Sequence, residues 1–387
     1  MKLFIASGIF HPEPGGPATY LHELLPELLQ RGWEIRAVSY SDQLHPDLRY
    51  PYPVTRILRR ALPVRLFDYA RAARLLLRWA DVVYLHTLGL PLYGDHHAPR
   101  VVKMVGDLAW ERSVRKGWIA PTEDIDVFQH QRYDWRVNFD QDRRAREARS
   151  MDGVIVPSEY LKRMVVGWGV DPANVRVIYN ALPPTTVTLD VTQGEARARL
   201  QLPDAPTVLT VGRILPWKGV DHLIAALHQV KDVRLIVAGD GDTLDALRAQ
   251  ASDLGQRVTF LGRVSREQMP LYMKAADYVA LYSGYEGLSH TLLESLRVGT
   301  PVIASDKGGN PEVVQHGVNG LLVPYVDAAA LAAVLEAAFR PGLRARLAAN
   351  SAVGMERFDF RQMVEATTLA LKSAQMFRKP RNTNNYS

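Results

Sequence analysis

The sequence predicts an α/β protein built on two doubly wound parallel sheets. Three observations lead there. Short apolar stretches alternate with amphipathic helical segments almost from end to end, and a strand that returns through a helix pairs in parallel. The alternation falls into two series that meet near residues 180–206, where Asn180-Ala-Leu-Pro-Pro reads as a turn or linker. The length of 387 residues exceeds one ordinary core and suits two domains of roughly 150–200 residues each.

In the first series residues 2–6 read as a short apolar strand. Residues 18–31 carry Tyr20, Leu21, Leu24, Leu25, Leu28 and Leu29 near helical spacing, and Gly32 falls at the C′ position. Residues 34–39 form the next strand. Residues 81–85, 100–105 and 153–156 read as buried strands, Ser158 opens a helix, and residues 175–178 are a further strand. In the second series strands are expected over 207–211, 234–238, 258–261, 278–281, 301–304 and 321–323. Helices are expected over 220–228, 243–254, 270–276 and 289–298. Asn310 reads as the N-cap of a short helix with Pro311 in its first turn, and Asp327 as the cap of an Ala-rich helix.

Composition narrows the function. The chain is 47% apolar and 23% charged, as soluble globular proteins are. It has no cysteine, which excludes disulfides, thiolate metal sites and a cysteine nucleophile and agrees with a cytoplasmic location. The opening MKLFIASGIFHPEPGG holds too short an apolar run for a leader and reads as a first strand. No run approaches the roughly 18–20 apolar residues of a membrane span. The formal charge of +6 is modest, and no nucleic-acid partner is expected.

Ligands of such sheets bind outside the carboxyl ends of the strands, so two facing sheets predict a cleft, and four loops are candidates. Gly15 and Gly16 stand between the first strand and first helix, where a backbone approaches a ligand closely and a helix N-terminus favours a phosphate; a plain turn is the alternative. Gly212, Arg213 and Lys218 follow the first strand of the second series. Arg213 can fork onto phosphate oxygens and Lys218 adds a point charge, or both are solvated. The strongest segment is Ser283-Gly-Tyr-Glu286-Gly-Leu-Ser-His-Thr-Leu-Leu-Glu294. Its two glutamates are about 12 Å apart along one helix, so they converge only if Glu286 lies in the loop and Glu294 in the helix. A carboxylate suits vicinal hydroxyls of a ribose or sugar; two unrelated surface acids are the alternative. Asp306-Lys-Gly-Gly-Asn-Pro-Glu312 is a second glycine pair opening a helix and is weak alone.

Taken together these segments resemble retaining glycosyltransferase family 4, of the GT-B architecture. The resemblance covers most of the chain and is most specific over 207–323, where VGRILPWKGVDHLIAAL, VAGDGD, FLGRV, SGYEGLSHTLLESLRVGTPVIASDKGGNPEVV and NGLLV occur in family order. It implies two Rossmann-like domains facing across a cleft: residues 1–182, joined by a C-terminal helix of about 360–387, on the acceptor side, and 183–359 holding a nucleotide-diphosphate sugar. It further implies that Arg213 and Lys218 bind the diphosphate, Glu294 the ribose and Glu286 the donor sugar. Gly212, Gly287, Leu288 and Ser289 would line the sugar–phosphate pocket, Gly15 and Gly16 would face the phosphate, and Arg263 and Val264 would lie beside the base. No metal or other cofactor is implied: cationic side chains and a helix dipole stabilise the leaving diphosphate, and anomeric configuration is retained.

One departure stands out. Where many relatives carry His-Asp after the strand at 100–105, this chain has Gly106-Asp107. Asp107 is then a candidate to orient the acceptor or act as its base, or simply a helix cap; His86, after another strand, and His11 are further candidates facing the cleft, with a structural role the preferred reading of each. Residues 56–78 are rich in Arg and Leu, so the acceptor side could rest on an anionic membrane surface at the cytoplasmic face, or present an ordinary solvated helix. The acceptor class is a glycan, a lipid-linked sugar or a small molecule. The rival functions are a sugar-nucleotide epimerase, a phosphorylase, or a non-catalytic nucleotide-sugar-binding protein.

Overall fold

The computed structural model describes residues 1–13, 15–45, 47–93, 97–184 and 189–376. In chain order the first series is β1 (Lys2–Ser7), α1 (Gly16–Gln30), β2 (Glu34–Ser41), β3 (Val54–Leu58), α2 (Leu62–Trp79), β4 (Val82–Leu85), β5 (Arg100–Lys103), α3 (Leu108–Arg115), α4 (Ile125–His130), α5 (Trp135–Arg149), β6 (Gly153–Val156), α6 (Glu159–Gly167) and β7 (Val175–Val177). The second is α7 (Gln193–Arg199), β8 (Thr207–Val211), α8 (Val220–Leu227), β9 (Arg234–Ala238), α9 (Leu244–Gln250), β10 (Val258–Gly262), α10 (Met269–Ala275), β11 (Tyr278–Leu281), α11 (His290–Arg297), β12 (Val302–Ser305), α12 (Asn310–Val313), β13 (Gly320–Val323), α13 (Ala328–Ala338) and α14 (Leu343–Ala349). The last helix is α15 (Phe360–Met376).

Among the described residues two sheets form, ordered β3-β2-β1-β4-β5-β6-β7 and β10-β9-β8-β11-β12-β13, and the pairings are parallel throughout. Helices cover both faces of such sheets, so the strands read as continuous apolar runs: Leu3, Phe4, Ile5 and Ala6 of β1 are all buried, as are Val279, Ala280 and Leu281 of β11. Each order reverses once, between β1 and β4 in the first sheet and between β8 and β11 in the second. At such a point the two neighbouring loops diverge and leave a crevice at the strand ends.

Local chemistry sets the helix starts. Ser158 caps α6 by accepting from the Leu161 amide at 3.2 Å, and Asp327 caps α13 by accepting from Ala330 at 2.8 Å. Gly32 takes φ 79 just past α1. Three expectations change. The stretch 56–78 is a strand followed by a helix, β3 and α2, rather than a single surface helix. Its Arg56 is drawn inward to the His11 carbonyl and Tyr50, and its Arg59 to Glu13 and Asp42. The helix expected over 243–254 ends at Gln250, and the chain continues as a 3-10 turn with Gly255 at φ 53. Asn310 is the first residue of α12, after Gly309; its amide donates to Ser305 Oγ at 3.0 Å instead of capping.

The chain divides into two compact units, Met1–Ser113 with Arg132–Asn180 and the residues from Arg361 onward, and Val114–Gln131 with Ala181–Phe360. In the first, Thr367 of α15 lies 3.2 Å from the Tyr20 hydroxyl of α1; the tail past 376 lies outside the described residues. Residues 114–131 leave the first unit and join the second, where Ile125 and Phe128 of α4 are buried and Lys307 Nζ donates to Asp124 at 2.6 Å. The core of the second unit gathers Leu223, Ile224 and Leu227 of α8 with Leu235, Val237, Ile303 and Leu335. Ile224→Ala removes buried methylenes from the centre of this core and should lower the stability of the second unit by roughly 2–5 kcal/mol, read as a lower denaturant midpoint. A change under about 0.5 kcal/mol, the usual range of a surface substitution, would contradict this packing.

Candidate functional site

The best-formed site lies at the strand-order reversal of the second sheet. β8 runs into Gly212 and Arg213, then a 3-10 turn at Pro216–Lys218, then Gly219, which opens α8. Gly219 has φ 67, and a β-carbon there would overlap the Tyr282 carbonyl oxygen at the end of β11. The loop after β8 is thus pressed against the loop after β11, and the Gly284 amide donates to the Trp217 carbonyl at 2.8 Å.

This contact brings Lys218 and Glu286 together. Lys218 Nζ donates to Glu286 Oε1, and Ser283 Oγ donates to the same oxygen at 2.9 Å. Both charged side chains remain partly open, at 22% and 14% exposure, so the pair is braced yet reachable from solvent. Gly308, at φ 62, lies flat against the Glu286 backbone, and the Gly309 amide donates to the Glu286 carbonyl at 2.8 Å. Ser305 Oγ donates to the Ser283 carbonyl. Glu286 is therefore held from the loops after β8, β11 and β12.

The other predicted residues of the second unit follow β8 and β10, or lie between β11 and α11 and within α11. Glu286 lies in the loop and Glu294 within α11, the placement that their spacing demands. Gly287, Leu288 and Ser289 lead directly into α11, with Ser289 accepting from the Leu292 amide at 3.3 Å, so the free amides of the helix start lie beside Glu286. Arg213 is exposed, makes no hydrogen bond or ion pair among the described residues, and lines a shallow open hollow with Gly212, Ile214, Lys218 and Val220. Arg263 and Val264 follow β10; Arg263 is exposed and pairs with Asp240 at 3.0 Å. Gly15 and Gly16 belong to the first unit and open α1 just past β1; a β-carbon at Gly16 would meet open space.

Asp107 requires correction. It has no exposed surface. One carboxylate oxygen accepts from the Ala109 and Trp110 amides at 3.0 and 3.3 Å, capping α3, and the other accepts from the buried Arg144. A carboxylate so enclosed and paired cannot meet an acceptor hydroxyl, and it leaves the candidate set. Arg144, 37 residues on, was not readable as its partner.

Two basic groups in the first unit stand together, His86, which the sequence offered as structural first, and Lys103, which the sequence reading missed. Lys103, the last residue of β5, is 1% exposed, and His86, just past β4, is 4% exposed. Neither Lys103 Nζ nor either His86 ring nitrogen has a hydrogen-bond partner among the described residues. The Tyr20 ring lies 3.9 Å from Lys103 Nζ, and the Tyr84 ring 4.4 Å from the imidazole. Burial lowers the Lys103 pKa to about 7. Burial, and then the Lys103 charge, hold His86 well below its ordinary range. A lysine closing the apolar run Arg100-Val-Val-Lys-Met-Val was a visible signal.

With the geometry in place, similarity to known proteins defines the class. Residues 14–185 match the model described as Glycosyltransferase Family 4, and residues 192–352 that described as Glycosyl transferases group 1. The D-inositol 3-phosphate glycosyltransferase of Mycobacterium sp. (strain JLS) is 39% identical over 185 residues, 46% of this chain and 42% of that protein. The GDP-mannose-dependent alpha-(1-6)-phosphatidylinositol monomannoside mannosyltransferase of Mycobacterium tuberculosis (strain ATCC 25618 / H37Rv) is 38% identical over 144 residues, 34% of this chain and 37% of that protein. The matched stretch thus spans less than half the length of these curated relatives. The crystal structure of Anabaena HepE in complex with UDP-glucose superposes with a TM-score of 0.76 at 23% identity, covering 96% of this chain and all of that one. The fold is GT-B. The chain belongs to glycosyltransferase family 4.

The buried lysine makes a pH prediction. Between the folded pKa of about 7 and the ordinary value of 10.5, the unfolded chain binds a proton that the folded chain does not, so stability from this group rises with pH across that window. Relative to Lys103→Met, the melting temperature of the native protein should climb by several degrees as pH goes from about 7 toward 10. A constant difference between the two curves would contradict the burial described.

Proposed function

We propose that this chain is a retaining, metal-independent glycosyltransferase that moves a sugar from a nucleotide-diphosphate donor to a carbohydrate or lipid-linked acceptor. The observation that carries this reading is the Lys218–Glu286 pair at the strand-order reversal, beside the exposed Arg213 and the start of α11. The relatives whose names specify GDP-mannose or glycosyl transfer support the donor class.

In this reading Lys218 and Arg213 receive the diphosphate, joined by the amides at the start of α11. As the carbon–oxygen bond to phosphate breaks, its electron pair stays with the diphosphate. These donors, already fixed, gain most from the charge that develops there. Glu286 orients the donor sugar and Glu294 the ribose hydroxyls, while Gly287, Leu288 and Ser289 close the sugar–phosphate pocket. Arg263 and Val264 flank the base. Gly15 and Gly16 meet the phosphate from the first unit. The acceptor oxygen bonds to the anomeric carbon on the face the diphosphate leaves, and the departing phosphate oxygen takes the acceptor proton.

Incubation with a panel of nucleotide sugars and candidate acceptors should release nucleoside diphosphate in an acceptor-dependent way. The rate should persist in EDTA, and the product should keep the donor's anomeric configuration by NMR. Lys218→Ala should lower kcat/KM by about 10²–10³, and Glu294→Ala should weaken donor use strongly. Near-native kinetics for both would remove the assignment; interconversion of nucleotide sugars without diphosphate release would mark an epimerase, and binding without turnover a non-catalytic protein.

A second part of the proposal concerns α2. Its outer face shows Val64, Phe67 and Leu75 at 44%, 67% and 73% exposure, among Arg71, Arg74 and Arg78, which make no ion pair among the described residues. Among the described residues no helix is long and apolar enough to cross a membrane. Apolar side chains inside a basic face suit shallow insertion into anionic lipid, which would hold the enzyme at the cytoplasmic face beside a lipid-linked acceptor. The protein should float with phosphatidylglycerol vesicles at low salt, and F67E/L75E should abolish flotation. Equal flotation of the variant would refute this surface.

A further inference from the structure

The two sheets treat their reversal points differently. In the second sheet the cation there has a carboxylate partner, Lys218 with Glu286. In the first sheet the reversal falls between β1 and β4. His86 stands at that place, its amide donating to the Ala6 carbonyl of β1 at 2.9 Å, and Lys103 ends the adjacent β5. The groups packed against them are aromatic. Tyr20 of α1 covers Lys103 Nζ and lies 5.5 Å from the imidazole, and Tyr84 of β4 meets the imidazole edge-on at 4.4 Å. Their hydroxyls are spent on one another, 3.4 Å apart, with Thr367 of α15 3.2 Å from Tyr20. Among the described residues no ion pair reaches either group, and the charge that acts on His86 is that of Lys103.

This cluster thus holds two nitrogen bases among aromatic rings, with no carboxylate bonded to either among the described residues. An isolated buried ammonium is costly, and a lysine serving only to fill space would do so better as an apolar residue of the same length. Buried donors without partners call for an explanation, and an anion is the group that both would bind: its charge favours the ammonium form of Lys103, and a neutral His86 offers it one N–H, in bonds strengthened by the dry surroundings. The position suits a ligand: both groups sit at carboxyl ends of parallel strands, where such sheets bind theirs. The residues immediately beyond, Thr87 and Leu88 after β4 and Val105 and Gly106 after β5, are partly buried and partly open to solvent, so the surface begins a residue or two further along each strand.

We infer that Lys103 and His86 form an anchor for an oxyanion, a phosphate or carboxylate group carried by the acceptor. Assigning the anion to the acceptor rests on the transferase reading above; binding of the anion itself does not. Phosphate and acetate serve as probes, read by thermal shift and by calorimetric titration. The diphosphate site of the second unit could bind phosphate too, so Lys218→Met separates the two. One of the ions should raise the melting temperature of the native protein, and the larger effect tells phosphate from carboxylate. The response should survive Lys218→Met. It should be lost, with at least about tenfold weaker apparent affinity, in Lys103→Met, and be weakened in His86→Phe. Lys103→Met exchanges a buried charge for an apolar chain of similar length, so it should melt at or above the native temperature in anion-free buffer, which guards against simple misfolding. No response to either ion, or a response left intact by Lys103→Met, would overturn the inference. Loss of nucleoside-diphosphate binding in Lys218→Met tests the donor site separately.

Discussion

The second unit depends on a close approach of two backbones. At Gly219 the chain turns with φ 67 directly against the carbonyl of Tyr282, and no residue with a side chain fits there. That approach lets the loops after β8 and β11 share a hydrogen bond from Gly284 to Trp217. It places an ammonium and a carboxylate 68 positions apart in the chain within bonding reach. Gly308 repeats the device from the far side, lying flat against Glu286. The charged pair is thus a product of backbone packing. Its geometry is settled by glycines that take no part in chemistry, which is how a site is held ready before a ligand arrives.

The two units also show two ways of handling charge near strand ends. Asp107 and Arg144 neutralise each other fully inside the first unit, and α3 gains a cap in the bargain. Lys218 and Glu286 neutralise each other at a surface where a stronger anion could compete for the cation. Lys103 stands apart, with an aromatic face in place of a counter-ion. Burial and the partner each cation finds separate these roles: a buried carboxylate for Arg144, a half-open one for Lys218 and a ring face for Lys103.

Much of this was legible from the residues, because local patterns report local structure. Apolar runs bounded by glycine and proline marked the strands, and Ser158 and Asp327 announced their helices as caps. The Glu286–Glu294 spacing forced one acid into the loop and one into the helix, as found. What failed depended on side-chain partners, near or far, and on boundaries that the residue pattern does not mark. Asp107 looked available because Arg144 could not be seen beside it. Asn310 looked like a cap because its bond to Ser305 was invisible. The stretch 56–78 blurred because Leu and Arg recur with no break strong enough to separate β3 from α2.

The route of residues 114–131 has its own consequence. The backbone passes between the units at 113–114, at 131–132, at 180–181 and again at 360–361. A fragment beginning at Ala181 would lack α4, and the seat of Ile125 and Phe128 would be stripped to water. A fragment ending at Asn180 would lose α15, leaving Tyr20 without Thr367, and would carry residues 114–131, with their buried Ile125 and Phe128, away from the unit they belong to. Gene fusion or domain exchange within this family at the central linker would therefore transplant incomplete bodies, so hybrids with altered specificity are better sought by exchanging single loops.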